Sequence, residues 1–182
     1  MSKYRKRNSI AESFISHRRS MRESFAWQFL PDNARRVLDR LELEHMRHGG
    51  AENGKLICTY SDFAKAGIRR ASIALALRQC QALGFLECTR RGWSISEFRT
   101  PSRYRLTYVF GRGEHGHPTD EWSRIKCAED AREALRQVAS ETCLDQANNL
   151  APSPENIDSG PASAPRTVDA IARLRTRALV TR

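Results

Sequence analysis

Two glycines set the frame of this chain. Gly67 closes a short helical pattern running from Ser61 to Ala66, and Gly84 closes a longer one over residues 71–83. Glycine accepts the left-handed conformation in which helices commonly end, so each reads as a stop. Two strand-like runs follow, over residues 85–90 and 103–109, with a basic loop at 90–101 between them. Helix, tight turn, helix and hairpin are thus packed between Thr59 and Tyr108. Few architectures accept that order in so short a stretch.

The buried side of this unit is legible from spacing. Ile73, Leu77, Cys80 and Leu83 recur at intervals of four, three and three, with Ala76 beside them, so they share one helix face. Phe63 is the core anchor of the shorter helix, with Ser61 as its expected cap. In the second strand Tyr104, Leu106 and Tyr108 alternate with Arg103, Arg105 and Thr107, which predicts one packed face and one wet, basic face. Leu75 points outward in this register. A thymine methyl, a partner subunit or the apolar segment SFAWQFL at residues 24–30 would each account for it.

The flanks divide by composition. Residues 1–23 read as a basic flexible arm, with Lys3, Arg5, Lys6, Arg7, Arg18, Arg19 and Arg22 against Glu12 and Glu23. Such an arm either lies along phosphates or stays solvated. Residues 24–110 form the expected domain. Within it, Asp32 or Asn33 would cap a first helix carrying Val37, Leu38, Leu41 and Met46, stopped by Gly49-Gly50. Asn53-Gly54 marks a turn, and residues 55–60 (KLICTY) a short third strand. Residues 111–143 read as a loop and an amphipathic helix from Asp120 to about Ala139, capped by Thr119, that closes over the domain or pairs with another copy. Residues 144–166, rich in Pro, Ser, Asn and Ala, read as a flexible linker, and residues 167–182 as an arginine-rich helix or tail.

Charge decides among partners. The 182-residue chain has a formal net charge of +10 and a pI near 10.0, which favours a polyanion, because each cation placed at a phosphate releases condensed counterions. Between Arg69 and Arg105 the basic residues are Arg69, Arg70, Arg78, Arg90, Arg91, Arg99, Arg103 and Arg105; the acidic ones are Glu87 and Glu97. A planar guanidinium grips a phosphate, or O6 and N7 of guanine, with two hydrogen bonds. No apolar run approaches the roughly 20 residues that span a bilayer, and residues 1–14 carry no apolar signal core, so no membrane partner and a cytoplasmic location are expected. The five cysteines form no CxxC pair and read as reduced thiols. His45, His48, His115, His117 and Cys127 lack the spacing of zinc ligands, and no phosphate loop or nucleophile elbow is present. No metal, no cofactor and no enzymatic activity are expected.

The stretch GIRRASIALALRQCQALGFLECTRRG resembles the helix-turn-helix and wing start of bacterial winged-helix regulators, and also the winged-helix domains of plasmid replication initiators and phage replisome organisers. The resemblance covers about residues 32–109 and is one of fold pattern. It implies an α+β fold: a winged helix-turn-helix with a three-helix core and a small antiparallel sheet, plus an extra C-terminal helix and tails. In such a fold the N-terminal part of the second helix enters the major groove. That assigns base reading to Arg69, Arg70, Ser72, Arg78 and Gln79, and backbone or minor-groove contacts to Arg90, Arg91, Arg99 and Arg103. The expected partner is double-stranded DNA, with homodimer formation possible and a role in transcriptional regulation or in replication or maintenance of a mobile element. The alternative is a winged helix that binds another protein without reading DNA.

Overall fold

The computed structural model describes residues 12–95, 98–113 and 116–150, and their side chains other than those of residues 94, 95, 98, 99 and 143–150. The expected C-terminal tail (167–182), the 151–166 part of the linker and the first eleven residues of the arm lie outside the described residues. The fold is α+β. Two single-turn helices, α1 (Arg19–Arg22) and α2 (Phe25–Gln28), precede the long α3 (Asp32–Arg47). Strand β1 (Leu56–Ile57), helices α4 (Tyr60–Lys65) and α5 (Arg70–Ala82), and strands β2 (Leu86–Arg90), β3 (Trp93–Ile95), β4 (Phe98–Thr100) and β5 (Arg103–Leu106) follow. A 3-10 turn (Glu121–Arg124) leads into α6 (Ala128–Leu150).

The sheet is antiparallel with order β1-β5-β2, and β3 and β4 form a separate two-stranded ladder between β2 and β5. The expected loop at 90–101 is therefore itself a hairpin, in register Trp93 with Thr100 and Ile95 with Phe98. β2 and β5 pair Leu86 with Leu106 and Cys88 with Tyr104, then shift by one residue so that Arg90 faces Arg103. An extra residue in one strand bends it and increases its twist. β5 ends at Leu106, earlier than the alternation predicts, although Thr107 N still donates to Phe85 O at 3.2 Å and its hydroxyl donates to Gly84 O at 2.7 Å.

The inner face of α5 lies where the spacing predicts. Ile73, Ala76, Leu77, Cys80 and Leu83 are buried, together with Phe63, Leu106, Tyr104 and Tyr108. Burying one such aliphatic side chain stabilises the fold by about 1.5–3 kcal/mol. Phe63 meets Tyr104 edge-on at 6.4 Å, and Cys80 Sγ donates to Ala34 O at 3.2 Å, holding α5 against α3. Burial pushes the Cys58 thiol and the Tyr104 phenol each up to about 12, so both stay neutral. Gly84 is required twice over. Its φ is +76°, and an added Cβ would stand 2.5 Å from the Glu121 carbonyl carbon, so the 3-10 turn packs directly on the end of α5.

Several boundaries move. α3 starts at Asp32 with Pro31 as its cap and no side-chain cap bond, because proline already presets the extended entry. α4 is capped by Thr59, not Ser61: Thr59 Oγ1 accepts from Asp62 N while Asp62 accepts from Thr59 N, a reciprocal capping box. The strand expected over residues 55–60 shrinks to Leu56–Ile57. The helix expected from Asp120 is divided: Asp120 itself has φ +51°, the 3-10 turn follows, Ile125 is extended, and α6 begins at Ala128. α6 then runs to Leu150, through the beginning of the expected linker. The arm also joins the body before residue 24. Met21 is fully buried, and His17 Nε2 lies 2.8 Å from Glu42 Oε1 while its ring sits against Trp27 and Tyr108.

Asn53, in the loop before β1, is nearly inaccessible and fully bonded. Its Nδ2 donates to Leu106 O at 2.9 Å and Val109 O at 3.0 Å, and its Oδ1 accepts from Leu106 N at 2.8 Å. Asn53→Ala should lower stability by about 3 kcal/mol, because it orphans buried backbone groups; chemical denaturation measures this, and a loss below 1 kcal/mol would contradict the geometry. Thr59→Ala should cost about 1 kcal/mol. The Thr59 side-chain bond, then its backbone N–H, holds the Asp62 carboxyl below its ordinary 3.8. A depressed carboxylate stabilises the fold above its unfolded value and ceases to as pH falls through its folded value. Thr59→Ala should therefore show a shallower loss of stability below about pH 4 than the parent does.

Candidate nucleic-acid interface

α4 and α5 are joined by a turn at Gly67, whose φ is +86°. Arg36 of α3 donates through Nη1 to Gly67 O at 3.2 Å, so the turn is held to the first long helix. Arg69 is the extended residue before α5, and Arg70 its first residue; both are exposed, and the first turn holds no acidic residue. Two cations at a helix N-terminus work against the helix dipole. Arg70 Nη2 reaches back to Ser61 Oγ at 2.9 Å, which steadies the side chain along the α4 edge.

The five residues assigned to base reading do not form one surface. Ser72 and Gln79 are half-buried and line a cleft of about 520 Å³ with Arg36, Arg69, Leu75 and the Pro31–Asn33 corner of α3. Leu75 thus borders the start of α3. Arg78 is on another side and is covered. Its Nη1 donates to Thr142 Oγ1 of α6 at 3.1 Å, and Arg78, Ala82 and Arg91 share a cleft with Ala134, Val138 and Glu141 of α6. The α5 residues at this cleft are Arg78, Gln81 and Ala82. The matching α6 stripe, Ala131, Ala134, Leu135, Val138 and Thr142, is buried or half-buried. Arg132 of α6 also lies over the Phe29 ring, 5.0 Å from its centroid.

The hairpin arginines divide as well. Arg90 and Arg91 are exposed, Arg103 is half-buried opposite Arg90, and the Arg99 backbone pairs with Ser94 while its side chain lies outside the described ones. Arg105, counted with the basic face by alternation, is withdrawn from solvent: its Nε donates to Glu87 Oε2 at 2.5 Å and its Nη2 to Glu121 Oε1 at 3.2 Å. Three arm cations have partners but stay exposed: Arg18 pairs with Asp120, Arg19 with Glu23, and Arg22 lies 4.5 Å over the Trp27 ring.

Two features were not reached by sequence reasoning. Lys55 and Arg112 come together with Arg90 and Arg103 around a cleft of about 570 Å³. Tyr60 and Trp93, both roughly half exposed, line an apolar groove of about 420 Å³ with Cys58, Pro101 and Tyr104. No single-segment pattern marks either, since each joins residues flanking β1 to parts of the hairpin or later loop. Among the described residues no cluster of His, Cys, Asp and Glu could hold a metal ion. His45 is buried, which lowers its pKa, and its Nδ1 has no partner; His48 turns to Glu44 at 3.2 Å and Glu52 at 3.6 Å. No helix among the described residues is long and apolar enough to cross a membrane.

Comparison of the chain with protein-family models, with curated proteins and with solved structures finds no match.

The packing of α6 over α5 is open to a direct check. Val138→Asp should place a carboxylate at a buried site and cost about 2–4 kcal/mol. Amide hydrogen exchange should then accelerate over residues 128–142 while α5 stays protected. Equal exchange in parent and variant would show that α6 does not hold this position.

Proposed function

We propose that the chain binds double-stranded DNA as a winged helix-turn-helix, with α4 and α5 as the helix pair and the β2–β5 hairpin as the wing. The observation that carries this is the pair Arg69 and Arg70, exposed at the start of α5, immediately after a glycine turn and without acidic neighbours in the first turn. The order α3, β1, α4, α5, β2, β5 with a β1-β5-β2 sheet supports the same reading, as does the net charge of +10. Base reading in this proposal belongs to Arg69, Arg70 and the flanking Ser72, and α5 enters the groove by its first turn. Arg78 takes the role of holding α6. A contribution to transcription, or to replication or maintenance of a mobile element, remains within this reading.

A second reading, a protein-binding winged helix, is favoured by the Trp93–Tyr60 groove, which offers apolar surface beside the wing. Salt separates the two. Contact with phosphates gives a slope of about −0.9 in log K against log salt for each one neutralised, whereas an apolar interface is nearly insensitive.

The test uses duplexes enriched from a random library by the full chain and read by fluorescence anisotropy. Arg69→Ala/Arg70→Ala should weaken specific binding by at least about tenfold, since one bidentate base contact is worth about 1–3 kcal/mol, with an unchanged melting temperature. Arg78→Ala should change affinity by less than about threefold. Full retention of specific binding by Arg69→Ala/Arg70→Ala would overturn the assignment, and salt-insensitive binding to a protein partner alone would favour the second reading.

A further inference from the structure

We propose that the cleft walled by Lys55, Arg90, Arg103 and Arg112 is a second phosphate-binding site, occupied by the nucleic-acid backbone. The choice of backbone as ligand rests on the DNA-binding reading above; the existence of an anion site does not. Four cationic side chains line this cleft against one carboxylate, that of Glu52. Glu52 Oε2 lies 3.6 Å from His48 Nδ1, on the α3 side of the loop. None of the four cations is in an ion pair among the described residues.

The arrangement works against stability. Arg90 and Arg103 face each other across the antiparallel pair, where like charges repel. The next cross-strand pair on the same face shows the contrast. Arg105 faces Glu87, bonds it at 2.5 Å, and takes Glu121 as well. Neutralisation was thus available to this face, yet one pair is compensated and its neighbour is a pair of arginines with no carboxylate partner among the described residues. Sites that break local electrostatic rules without a compensating internal contact are where ligands are expected.

The cleft is also built rather than incidental. Thr89 Oγ1 donates to Gly54 O at 2.7 Å, tying the loop before β1 to the bulged end of β2. Asn53 anchors that loop to Leu106 and Val109 from the buried side. Lys55 and Arg112 therefore meet the hairpin arginines from two separate loops, the first of which is tied to β2 and β5. Strand alternation sets the location: Leu56, Tyr104 and Leu106 face the helices, so Lys55, Arg90 and Arg103 belong to the opposite face of the sheet. The ligand here is consequently a stretch of backbone apart from the one met by the start of α5. This accounts for a wing whose cations lie at its base as well as along it.

Two measurements on the full chain test the proposal. In the first, inorganic pyrophosphate is titrated and followed by proton–nitrogen NMR. The Nε–H signals of Arg90, Arg103 and Arg112 and the amides of Gly54 and Gly113 should shift together and saturate. The response should vanish in Lys55→Ala/Arg112→Ala and persist in Arg69→Ala/Arg70→Ala. Shifts that are absent, or that are equal at all exposed arginines, would overturn the site. In the second, the salt dependence of duplex binding is compared. Lys55→Ala/Arg112→Ala should reduce the log–log slope by about 2, at roughly 0.9 per lost phosphate contact, with sequence preference unchanged. An unchanged slope in a chain that binds duplex would overturn the backbone as ligand. Failure of the parent chain to bind any duplex would bring down the DNA-binding reading and the backbone with it, while the pyrophosphate result still decides the anion site.

Discussion

Asn53 is the interaction on which this fold most depends. A two-residue β1 cannot by itself hold the edge of a sheet, and the backbone of Leu106 must find partners or remain buried and unsatisfied. The Asn53 amide takes that place, bonding both the N–H and the C=O of Leu106 and the C=O of Val109. One side chain thereby does what a longer strand would do. It also positions Gly54 and Lys55, which carry the near wall of the basic cleft. The stability of the sheet edge and the geometry of a candidate binding surface rest on the same three hydrogen bonds.

The distribution of charge follows from which cations the fold neutralises. Arg105, Arg18 and Arg40 have carboxylate partners, the last with Glu44 at 2.9 Å. For Glu44, burial opposes ionisation, but hydrogen bonds from Arg40 and His48 outweigh it and hold its pKa down. Arg78 is drawn under α6. Arg69, Arg70, Arg90, Arg103, Lys55 and Arg112 have no such ion pair among the described residues. Six cations without a carboxylate partner among the described residues thus stand at the start of α5 and at the base of the hairpin, and clustered positive potential is what attracts a polyanion.

How far the chain was legible depended on the range of the physics involved. The buried stripe of α5 and the alternation of Tyr104 and Leu106 were read correctly, because periodicity is local and burial follows it. Arg105 obeyed the alternation in direction but not in exposure, since Glu87 and Glu121 lie on other segments. The cap of α4 was misplaced by two residues: Ser61 and Thr59 both offer a hydroxyl, and only Thr59 has Asp62 three residues on to complete the reciprocal bond. The break at Asp120 escaped notice because Asp is a weak helix breaker, and its left-handed conformation is imposed by Thr107 O, which accepts from both Thr119 N and Asp120 N.

The order of α3, α4 and α5, the glycine stops at 67 and 84, the core face of α5 and the excess of arginine were determined by the sequence alone. Each arises from interactions between residues close along the chain or from composition. Which arginines find partners was decided only by tertiary structure. That choice turned on partners far apart in sequence, Arg78 with Thr142, Arg18 with Asp120 and Arg105 with Glu121, and on a cleft drawn from four segments. A charge is neutralised by whatever the fold brings within a few ångströms, and sequence distance carries no record of that.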